Sequence, residues 1–275
     1  MVQWGEAEDK EFGELLTAVW IVTGIIGVLI LYFLFIFPTQ WVRVDRVRAP
    51  VGIGRRIVQV SDIHVEKLNV PLQRLRRLIA DERPDLIVLT GDFTQKRRHL
   101  RKVERFLDML KTIPVPIYAV LGNHDYRLGP DLGALLALFR DRGIPVLRNE
   151  AVRLSGFTLV GIDDPRHPDP DGYRPRKAFA GVRRSEKTVV LAHDPNVALD
   201  IDRPFGYMMS GHFHGGQFRL PFVFRLKNKG PLPRRGIVKG LHRLPRGLLY
   251  ISQGIGQANL NARFLIRSEF TVHEL

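Results

Sequence analysis

Five short clusters contain the side chains of this sequence that could do chemistry. In chain order they read D-x-H, G-D, G-N-H-D, A-H and G-H-F-H, and five of the nine histidines of the chain fall within them. Mixed imidazole, carboxylate and amide groups suit Mn, Fe or Zn better than Ca or Mg. The candidate metal ligands are Asp62, His64, Asp92, Asn123, His193, His212 and His214.

The chain contains no cysteine, which excludes both disulfides and thiolate metal sites. Each cluster alone is weak evidence, because an Asp after a strand is usually a turn or a helix cap and a lone His is more often a surface or core residue. Five clusters in this order, each after an apolar run, are difficult to explain by turns alone. The glycines before Asp92, Asn123 and His212 are expected to relieve tight strand-to-loop turns.

Apolar runs and amphipathic stretches alternate through the rest of the chain. Runs rich in Ile and Val predict strands over 56–64, 85–92, 116–125, 157–164, 188–194, 207–214, 248–256 and 270–275. Helical patterns cover 71–81, 100–111 and 132–142. This alternation predicts a layered α/β fold. Because sites in open α/β sheets form at the carboxyl ends of strands, we expect the five clusters to converge on one place.

An apolar segment near the N-terminus predicts a membrane anchor. Residues 15–37 contain no charged side chain, and a bilayer core requires a helix of about 20 residues. A cleaved signal peptide and a buried core helix are the alternatives. The acidic start and the lack of a small-residue cleavage pattern favour an uncleaved anchor. We therefore expect a short tail over 1–14, a transmembrane helix over 15–37, a basic juxtamembrane linker over 38–55 and an α/β domain over 56–275.

The chain is strongly basic, with 42 Lys and Arg against 28 Asp and Glu and a formal charge of +14. Such a surface attracts nucleic acid, anionic lipid or a phosphorylated substrate, and charge alone does not choose among them. Five arginines follow the apolar segment, so the positive-inside rule predicts a single-pass protein of the cytoplasmic membrane with its large domain in the cytoplasm. These arginines are expected to pair with anionic lipid. They are Arg43, Arg46, Arg48, Arg55 and Arg56.

The ordered motifs resemble the calcineurin-like metallophosphoesterases, and "GHFHGGQF" resembles their membrane-linked bacterial branch. The resemblance covers about residues 56–275 and implies a four-layer α/β/β/α sandwich with two divalent metal ions, Mn, Fe or Zn. The ligands it implies for one ion are Asp62, His64, Asp92 and His214. Those for the second are Asp92, Asn123, His193 and His212. The resemblance makes Asp92 the bridge, and physical reasoning agrees that two cations about 4 Å apart need a shared carboxylate.

The resemblance also implies that His124 and Asp92 are the catalytic residues. His124 would protonate the leaving oxygen or stabilise its charge, and the alternative is that it only supports a ligand. Asp125 would orient the His124 ring or a backbone turn. Some relatives carry an Asp three residues after the bridging Asp, where this chain has Gln95. This difference argues against a protein phosphatase mechanism.

Three further features leave alternatives open. We expect Phe213 to pack in the core, because the middle side chain of an H-x-H strand faces away from the histidines. Asp163 and Asp164 end another apolar run, either as loop polarity or as support for the metals. His99, His167, His242 and His273 match no motif and are expected to be structural or exposed.

The substrate is expected to be a lipid-borne phosphoester. Residues 220–235 mix apolar and basic side chains, which suit either contact with a membrane lipid or a core hairpin with a basic face. The resemblance favours hydrolysis of UDP-2,3-diacylglucosamine to lipid X and UMP, a reaction of lipid A biosynthesis. The alternatives are a general, nucleotide or nucleic-acid phosphodiesterase and a non-catalytic membrane-proximal scaffold. Nucleic acid is not the expected partner, and the complete set of seven ligands argues against a scaffold.

Overall fold

The structure is a computed structural model that describes residues 3–169, 172–218 and 229–275. The strands within this part of the chain are β1 Arg43–Arg48, β2 Arg56–Ser61, β3 Leu86–Thr90, β4 Ile117–Val120, β5 Glu150–Leu154, β6 Phe157–Gly161, β7 Thr188–Leu191, β8 Tyr207–Ser210, β9 Gly240–Leu244, β10 Gly247–Ile251 and β11 Glu269–Glu274. The α-helices are α1 Gln3–Leu31, α2 Phe37–Gln40, α3 Leu72–Asp81, α4 Leu100–Lys111, α5 Leu132–Arg140, α6 Pro175–Ala178 and α7 Pro231–Arg234.

The strands form two mixed sheets. The first has the order β1-β11-β2-β3-β4, in which β2, β3 and β4 are parallel neighbours. The second has the order β5-β6-β7-β8-β10-β9, in which β6, β7, β8 and β10 run parallel. The antiparallel pairs are β5 with β6 and β9 with β10 at the two edges of the second sheet, and β11 with β2 in the first sheet. The parallel centres of both sheets therefore direct several strand ends the same way.

The two sheets pack face to face, with helices on the outer faces. In β3, Leu86 and Val88 contact the second sheet, whereas Ile87 and Leu89 pack against the helices. This alternation is the period of two that a strand buried on both faces requires. Helices α3, α4 and α5 cover the first sheet. The short helices α6 and α7, with the 3₁₀ turn Pro195–Leu199, cover the second. The predicted α/β/β/α sandwich is confirmed.

All eight predicted strands and all three predicted helices of the α/β domain are present. The strands that lead to the site end earlier than predicted, because the polar residues after them leave the sheet as loops. Three strands were not predicted: β1, β5 and β9. Each of the three is an edge strand that mixes charged and apolar residues, with sequences RVDRVR, EAVRL and GLHRL. Edge strands commonly carry charged side chains, so they lack the continuous apolar run of a central strand.

The N-terminal helix extends beyond the predicted span at both ends. Helix α1 continues through a π-helical turn, Tyr32–Ile36, into α2. The stretch Glu11–Gln40 is long and apolar enough to cross a membrane. None of its most apolar part is buried by the rest of the chain. The alternative of a buried core helix is therefore excluded.

The segment expected to be a linker, 38–55, is largely joined to the domain. Six of its residues form β1, which pairs in parallel with β11 from Arg43 opposite Glu269 to Arg48 opposite Glu274. Only two residues separate the end of α2 from this strand. The N-terminal helix therefore leads directly into the first sheet.

The five arginines that follow the helix have acidic partners within the protein. Their ion pairs are Arg43–Asp45, Arg46–Glu82, Arg48–Glu274, Arg55–Asp85 and Arg56–Glu274. All five guanidinium groups remain substantially exposed, so each pair contributes little to stability. Part of the positive charge expected to attract anionic lipid is thus compensated inside the domain.

A buried amide links the two sheets, and its removal is expected to destabilise the domain. Gln59 donates to the Thr90 hydroxyl at 2.8 Å and to the Ser210 carbonyl of the second sheet at 3.0 Å. Gln59→Leu leaves these buried groups without that partner, so we expect the free energy of unfolding to fall by about 1–3 kcal/mol. Urea unfolding of the detergent-solubilised protein measures this. Gln73→Leu, on the exposed face of α3, is the control, and an equal effect of both changes contradicts the assignment.

Candidate metal centre

Five parallel strands deliver the predicted ligands to one place between the sheets. Strands β2, β3 and β4 end just before the first three clusters, and β7 and β8 end just before the last two. The strands lie side by side within their sheets, so their carboxyl ends meet along a common edge. The five clusters therefore converge on one place, as expected for loops that leave the carboxyl ends of strands in α/β sheets.

The ligand atoms form two groups that share one carboxylate. Within each group all ligand atoms lie within 4.8 Å of one another, and every residue is buried. The first group consists of Asp62, His64, Asp92 and His214. The second consists of Asp92, His193 and His212. Asp92 Oδ2 lies 3.4 Å from His64 Nε2 and 3.2 Å from His193 Nε2, so it stands between the two groups.

The donor set fits divalent cations. Buried polar atoms are normally hydrogen-bonded, yet Asn123 Oδ1 and His214 Nδ1 are buried and lack a hydrogen-bond partner. The amide oxygen has lone pairs available to a cation, and Nδ1 has one when the ring proton is on Nε2. Asn123 follows β4 directly beside Asp92, whose Oδ1 accepts the N–H of the next residue, His124, at 2.8 Å. The remaining atoms are carboxylate oxygens and imidazole nitrogens, which bind Mn, Fe and Zn.

Charge in the centre is balanced between Asp92 and its histidine neighbours. Burial raises the pKa of Asp92, but the His193 charge and hydrogen bonds from His193 and His64 hold it well below its usual value. Burial lowers the pKa of His193, and the Asp92 carboxylate more than reverses this, to about 10. Imidazole protons thus compensate the buried carboxylate. Cations bound at the same atoms would replace these protons, so binding should release protons.

Hydrogen bonds orient the ligand atoms. His193 Nδ1 donates to the Thr90 carbonyl at 2.8 Å, which turns Nε2 towards Asp92. The Asp62 carboxylate accepts the Ser61 hydroxyl at 2.7 Å and the backbone N–H of His212 at 3.0 and 3.1 Å. Partners of this kind hold the ring and carboxylate in place and usually affect metal affinity strongly.

The ligand loops have an unusual backbone. Nine non-glycine residues in the described part of the chain have positive φ, and five of them are predicted ligands. These five are Asp62 at 52°, His64 at 40°, Asp92 at 57°, His212 at 71° and His214 at 52°. A left-handed conformation costs about 1–3 kcal/mol for such residues and is concentrated at functional sites. The surrounding sheets must therefore impose these turns.

Two of the motif glycines allow close approach rather than an unusual turn. A Cβ atom at Gly122 would lie 2.4 Å from Asp92 Oδ1, and one at Gly211 would lie 1.9 Å from the Ser61 hydroxyl. Neither glycine has positive φ. The expectation that these glycines relieve tight turns is therefore corrected at both positions, and after Gly211 the left-handed residue is His212 itself.

Phe213 packs in the core as predicted, with 1% of its surface exposed. The expected cause, the alternation of side chains along a strand, is wrong. Strand β8 ends at Ser210, and the H-x-H motif lies in the turn that follows, with a 3₁₀ helix beginning at His214. The separation of Phe213 from the two histidines comes from left-handed turns on both sides of it and not from strand alternation.

Asp125 supports the backbone of two ligand loops. Its Oδ2 accepts the N–H groups of Asp92 at 2.9 Å and Gly122 at 2.8 Å, and its Oδ1 accepts those of Phe93 at 2.7 Å and Thr94 at 3.1 Å. Of the two roles expected for Asp125, the structure thus supports the orientation of a backbone turn. Burial and the Asp92 charge raise its pKa to about 7.

His124 lies at the half-buried edge of the centre. Its ring contacts the His64 ring edge to face at 4.8 Å, and its Nδ1 lies 3.1 Å from Gln95 Oε1. Arg127 donates to the same Gln95 oxygen at 3.0 Å. Burial lowers the pKa of His124 to about 4, the Asp92 charge opposing this and the His64 and Arg127 charges adding to it. Gln95 thus contacts His124 from the position where some relatives have Asp.

One cation of the site was not predicted from the sequence. The Arg166 Nη2 lies 3.2 Å from His212 Nε2 and 3.2 Å from Asp194 Oδ2. Arg166 follows the Asp163–Asp164 pair at the end of β6, the sixth apolar run to end in a polar cluster. Asp164 is buried, and its carboxylate accepts the backbone N–H of Arg166 at 2.8 Å. Asp163 forms an ion pair with Arg148 instead, at an N–O distance of 3.1 Å. Extending the strand-end rule to this run would have found Arg166.

The loop expected to contact lipid, 220–235, lies mostly outside the described residues, as do all of 219–228. Its last part is described. Lys229 Nζ donates to the His212 carbonyl at 3.1 Å, and Leu232 and Pro233 of α7 are buried. This end of the loop therefore lies beside the second ligand group and adds positive charge there.

Two ligand groups that share a carboxylate, at the strand ends of a four-layer sandwich, define a site able to hold a pair of divalent cations. A family model for calcineurin-like phosphoesterases matches residues 55–216, and the chain belongs to this family. It is thus a metal-dependent phosphoesterase, as the motifs predicted.

Three bacterial relatives are similar to this chain over most of its length. The chain is 36% identical over 231 residues to the uncharacterized metallophosphoesterase YkoQ of Bacillus subtilis, covering 80% of this chain and 83% of YkoQ. It is 31% identical over 235 residues to the phosphodiesterase YaeI of Escherichia coli, covering 80% and 82%. It is 27% identical over 261 residues to the UDP-2,3-diacylglucosamine pyrophosphatase LpxG of Chlamydia muridarum, covering 74% and 78%.

Asp125→Asn should weaken metal binding without unfolding the protein. In Asn, an NH2 group replaces one of the two carboxylate oxygens, and it would face backbone N–H groups that it cannot accept. The ligand loops would therefore shift. We expect the affinity for Mn²⁺ to fall by about 10–100-fold, which calorimetric titration measures. Asp131→Asn, which removes only an exposed pair with Arg97, is the matched control. Unchanged affinity in Asp125→Asn would contradict the role of this carboxylate.

Proposed function

We propose that this chain is a single-pass membrane protein that hydrolyses a lipid-linked phosphodiester or pyrophosphate with two divalent cations. The observation that supports this most is the shared Asp92 carboxylate between two buried ligand groups. The apolar helix and the family membership support the anchor and the reaction class. The arginines after the helix favour placement of the domain in the cytoplasm.

The residues assigned to the two cations follow the two groups. The first would be held by Asp62, His64, Asp92 and His214. The second would be held by Asp92, His193 and His212, together with Asn123. When bound, such a cation pair activates water and polarises a phosphoryl oxygen. Mn, Fe and Zn are the candidate metals, because the donor set mixes imidazole nitrogens with carboxylate and amide oxygens.

His124 is proposed to act on the leaving group. A proton on Nδ1 would be donated to Gln95 Oε1, 3.1 Å away, which would leave Nε2 to exchange a proton with the leaving oxygen. The negative charge of a bound phosphoester favours the protonated ring and thus opposes the effect of burial. Arg166 and Lys229 add positive charge beside His212, where they can bind phosphate oxygens.

The substrate class is proposed from the anchor and from the relatives. The chlamydial relatives are named UDP-2,3-diacylglucosamine pyrophosphatase, and this substrate combines two acyl chains with a nucleotide diphosphate. Its acyl chains would keep it in the membrane that the helix crosses, and its diphosphate would reach the cations. We therefore favour cleavage of UDP-2,3-diacylglucosamine to lipid X and UMP, with a general phosphodiester as the alternative.

Purified full-length protein in detergent tests the proposal directly. Metal content is measured first, followed by hydrolysis of bis-p-nitrophenyl phosphate and of UDP-2,3-diacylglucosamine with added Mn²⁺. Chelation should abolish both activities, and Mn²⁺ should restore them. Activity that survives complete chelation would overturn the two-metal mechanism. Activity on the first substrate alone would retain the phosphodiesterase and reject the lipid substrate.

Asp92→Asn should abolish turnover while the fold is retained. The neutral amide offers one oxygen in place of a charged bridge, so the two groups can no longer share it. We expect kcat for bis-p-nitrophenyl phosphate to fall by at least about 100-fold and the bound metal to fall below two ions per chain. Asp108→Asn, which removes an exposed partner of Arg142, should change neither value. Two bound ions and normal turnover in Asp92→Asn would refute the bridge.

Gln95→Glu tests the role of His124 through the pH dependence of kcat. A carboxylate beside Nδ1 favours the protonated ring, so it should raise the pKa of His124. If His124 donates a proton, the alkaline limb of the pH profile should move up by about one unit. Gln73→Glu on α3 adds the same charge far from the ring and is the control. An unmoved limb with retained activity would mean that His124 does not act as the acid.

A further inference from the structure

The residues 258–267, called here the docking segment, hold the end of the N-terminal helix. The Arg263 N–H donates to the Phe35 carbonyl at 2.9 Å, and the Ser268 N–H just beyond the segment donates to the Pro38 carbonyl at 3.0 Å. The Phe264 ring stacks on the Phe35 ring at a centroid distance of 5.2 Å. These contacts fix the segment to the last turns of the helix.

The contacts also fix the level of the docking segment relative to a membrane. The uncharged stretch 15–37 is about 34 Å long as a helix, which matches a hydrocarbon core of about 30 Å. Phe35 lies at the end of this stretch. Tyr32 and Trp41 stand on either side of it, as aromatic residues do at a membrane–water interface. The docking segment therefore lies level with that interface.

Two leucines of the docking segment project outward. Leu260 and Leu265 are each 63% exposed, although neither lies on the helix. Leu265 has a φ of 56°, a conformation that a bulky side chain rarely adopts. The Arg267 guanidinium lies 4.0 Å from the centre of the Trp41 ring, an arrangement that combines a cation with an interfacial aromatic. Exposed apolar side chains beside such a pair suit a lipid surface better than water.

The docking segment is joined to the metal centre through Arg263. This side chain is fully buried, and its Nη2 donates to the carbonyls of Gln253 at 3.0 Å, Gly254 at 2.9 Å and Gly256 at 2.7 Å. The Gly256 N–H in turn donates to the Asp62 carbonyl at 2.9 Å. The segment is thus connected to the loop that carries the first ligand.

A second connection runs through Gln217, three residues after His214. Its side-chain amide donates to the carbonyls of Leu260 at 2.6 Å and Ala262 at 2.8 Å. Its own carbonyl accepts the Phe264 N–H at 3.0 Å. The loops that carry Asp62 and His214, two members of the first ligand group, are therefore each linked to the docking segment by hydrogen bonds.

We propose that the docking segment rests on the bilayer that the helix spans, with Leu260 and Leu265 entering the headgroup region. The lipid surface is the occupant because the segment continues the membrane-spanning helix at the level where its apolar stretch ends. The metal centre is thereby held at a constant height above the lipid, where the phosphoester of a membrane amphiphile lies. This inference rests on the proposed membrane anchor.

Depth-dependent quenching in proteoliposomes tests the proposal, and the cysteine-free chain makes single labels possible. The full-length variants Leu260→Cys and Leu265→Cys are labelled with bimane. Ile26→Cys in α1 reports on the anchor, and Leu241→Cys on the edge strand β9 of the other sheet is the matched control. Spin-labelled lipids quench at a shallow or a deep position. Labels at 260 and 265 should be quenched at least about threefold more than the label at 241, mainly by the shallow lipid.

The outcomes separate the docking segment from the rest of the proposed function. Deep quenching at position 26 with labels at 260 and 265 behaving like that at 241 overturns the docking proposal and retains the anchor. Absence of quenching at position 26 overturns both. Disulfide formation between copies of the unlabelled Leu260→Cys or Leu265→Cys variant, together with no lipid quenching of the labelled one, shows that a second copy covers the surface, which also overturns the docking proposal. Hydrolysis of bis-p-nitrophenyl phosphate by the unmodified protein tests the hydrolase activity independently of the quenching and disulfide results.

Discussion

The burial of the Asp92 carboxylate is the constraint on which the rest of the structure depends. Removing a charged carboxylate from water costs several kcal/mol unless opposite charge and hydrogen bonds surround it. In this chain His64 and His193 approach one of its oxygens and the His124 N–H binds the other. These partners come from three different strand ends. A site of this kind can therefore form only when both sheets are in register, and it joins the metal centre to the global fold.

The strained ligand turns are a consequence of the same constraint. Side chains that leave the ends of neighbouring parallel strands would normally spread along the loops, and five left-handed residues turn them inward instead. Such turns persist only where the surrounding structure imposes them. Asp125 imposes part of this order by accepting four N–H groups from two loops, and the absence of Cβ atoms at Gly122 and Gly211 leaves room for the ligands. The fold thus maintains a geometry that local preference opposes.

The sequence predicted the central strands and the position of the candidate ligands at their ends, because both depend on local patterns. A central strand is a continuous apolar run, and a ligand cluster at its end is visible in one line of sequence. The edge strands β1, β5 and β9 escaped prediction because their charged side chains interrupt that run. Arg166 escaped because the cluster after β6 was not included among the strand-end clusters, although its side chain contacts His212. The turn around Phe213 escaped because left-handed φ at a histidine has no signature in residue type.

The expectation of a linker over 38–55 failed because strand pairing over a long sequence distance leaves no local pattern. The result changes the role of the N-terminal helix. Basic and glycine-containing residues after a transmembrane helix are typical of a flexible tether, which would let the domain move freely over the membrane. Pairing of β1 with β11 depends instead on a strand more than 220 residues away, which no local pattern reveals. Once β1 belongs to the first sheet and Arg263 binds both Phe35 and the loop behind Asp62, the helix becomes part of the frame that positions the metal centre. With the helix spanning the membrane as proposed, a rigid join of this kind would limit the site to phosphoesters within a narrow range of heights above the lipid, and the fold itself would contribute to the selection of substrate.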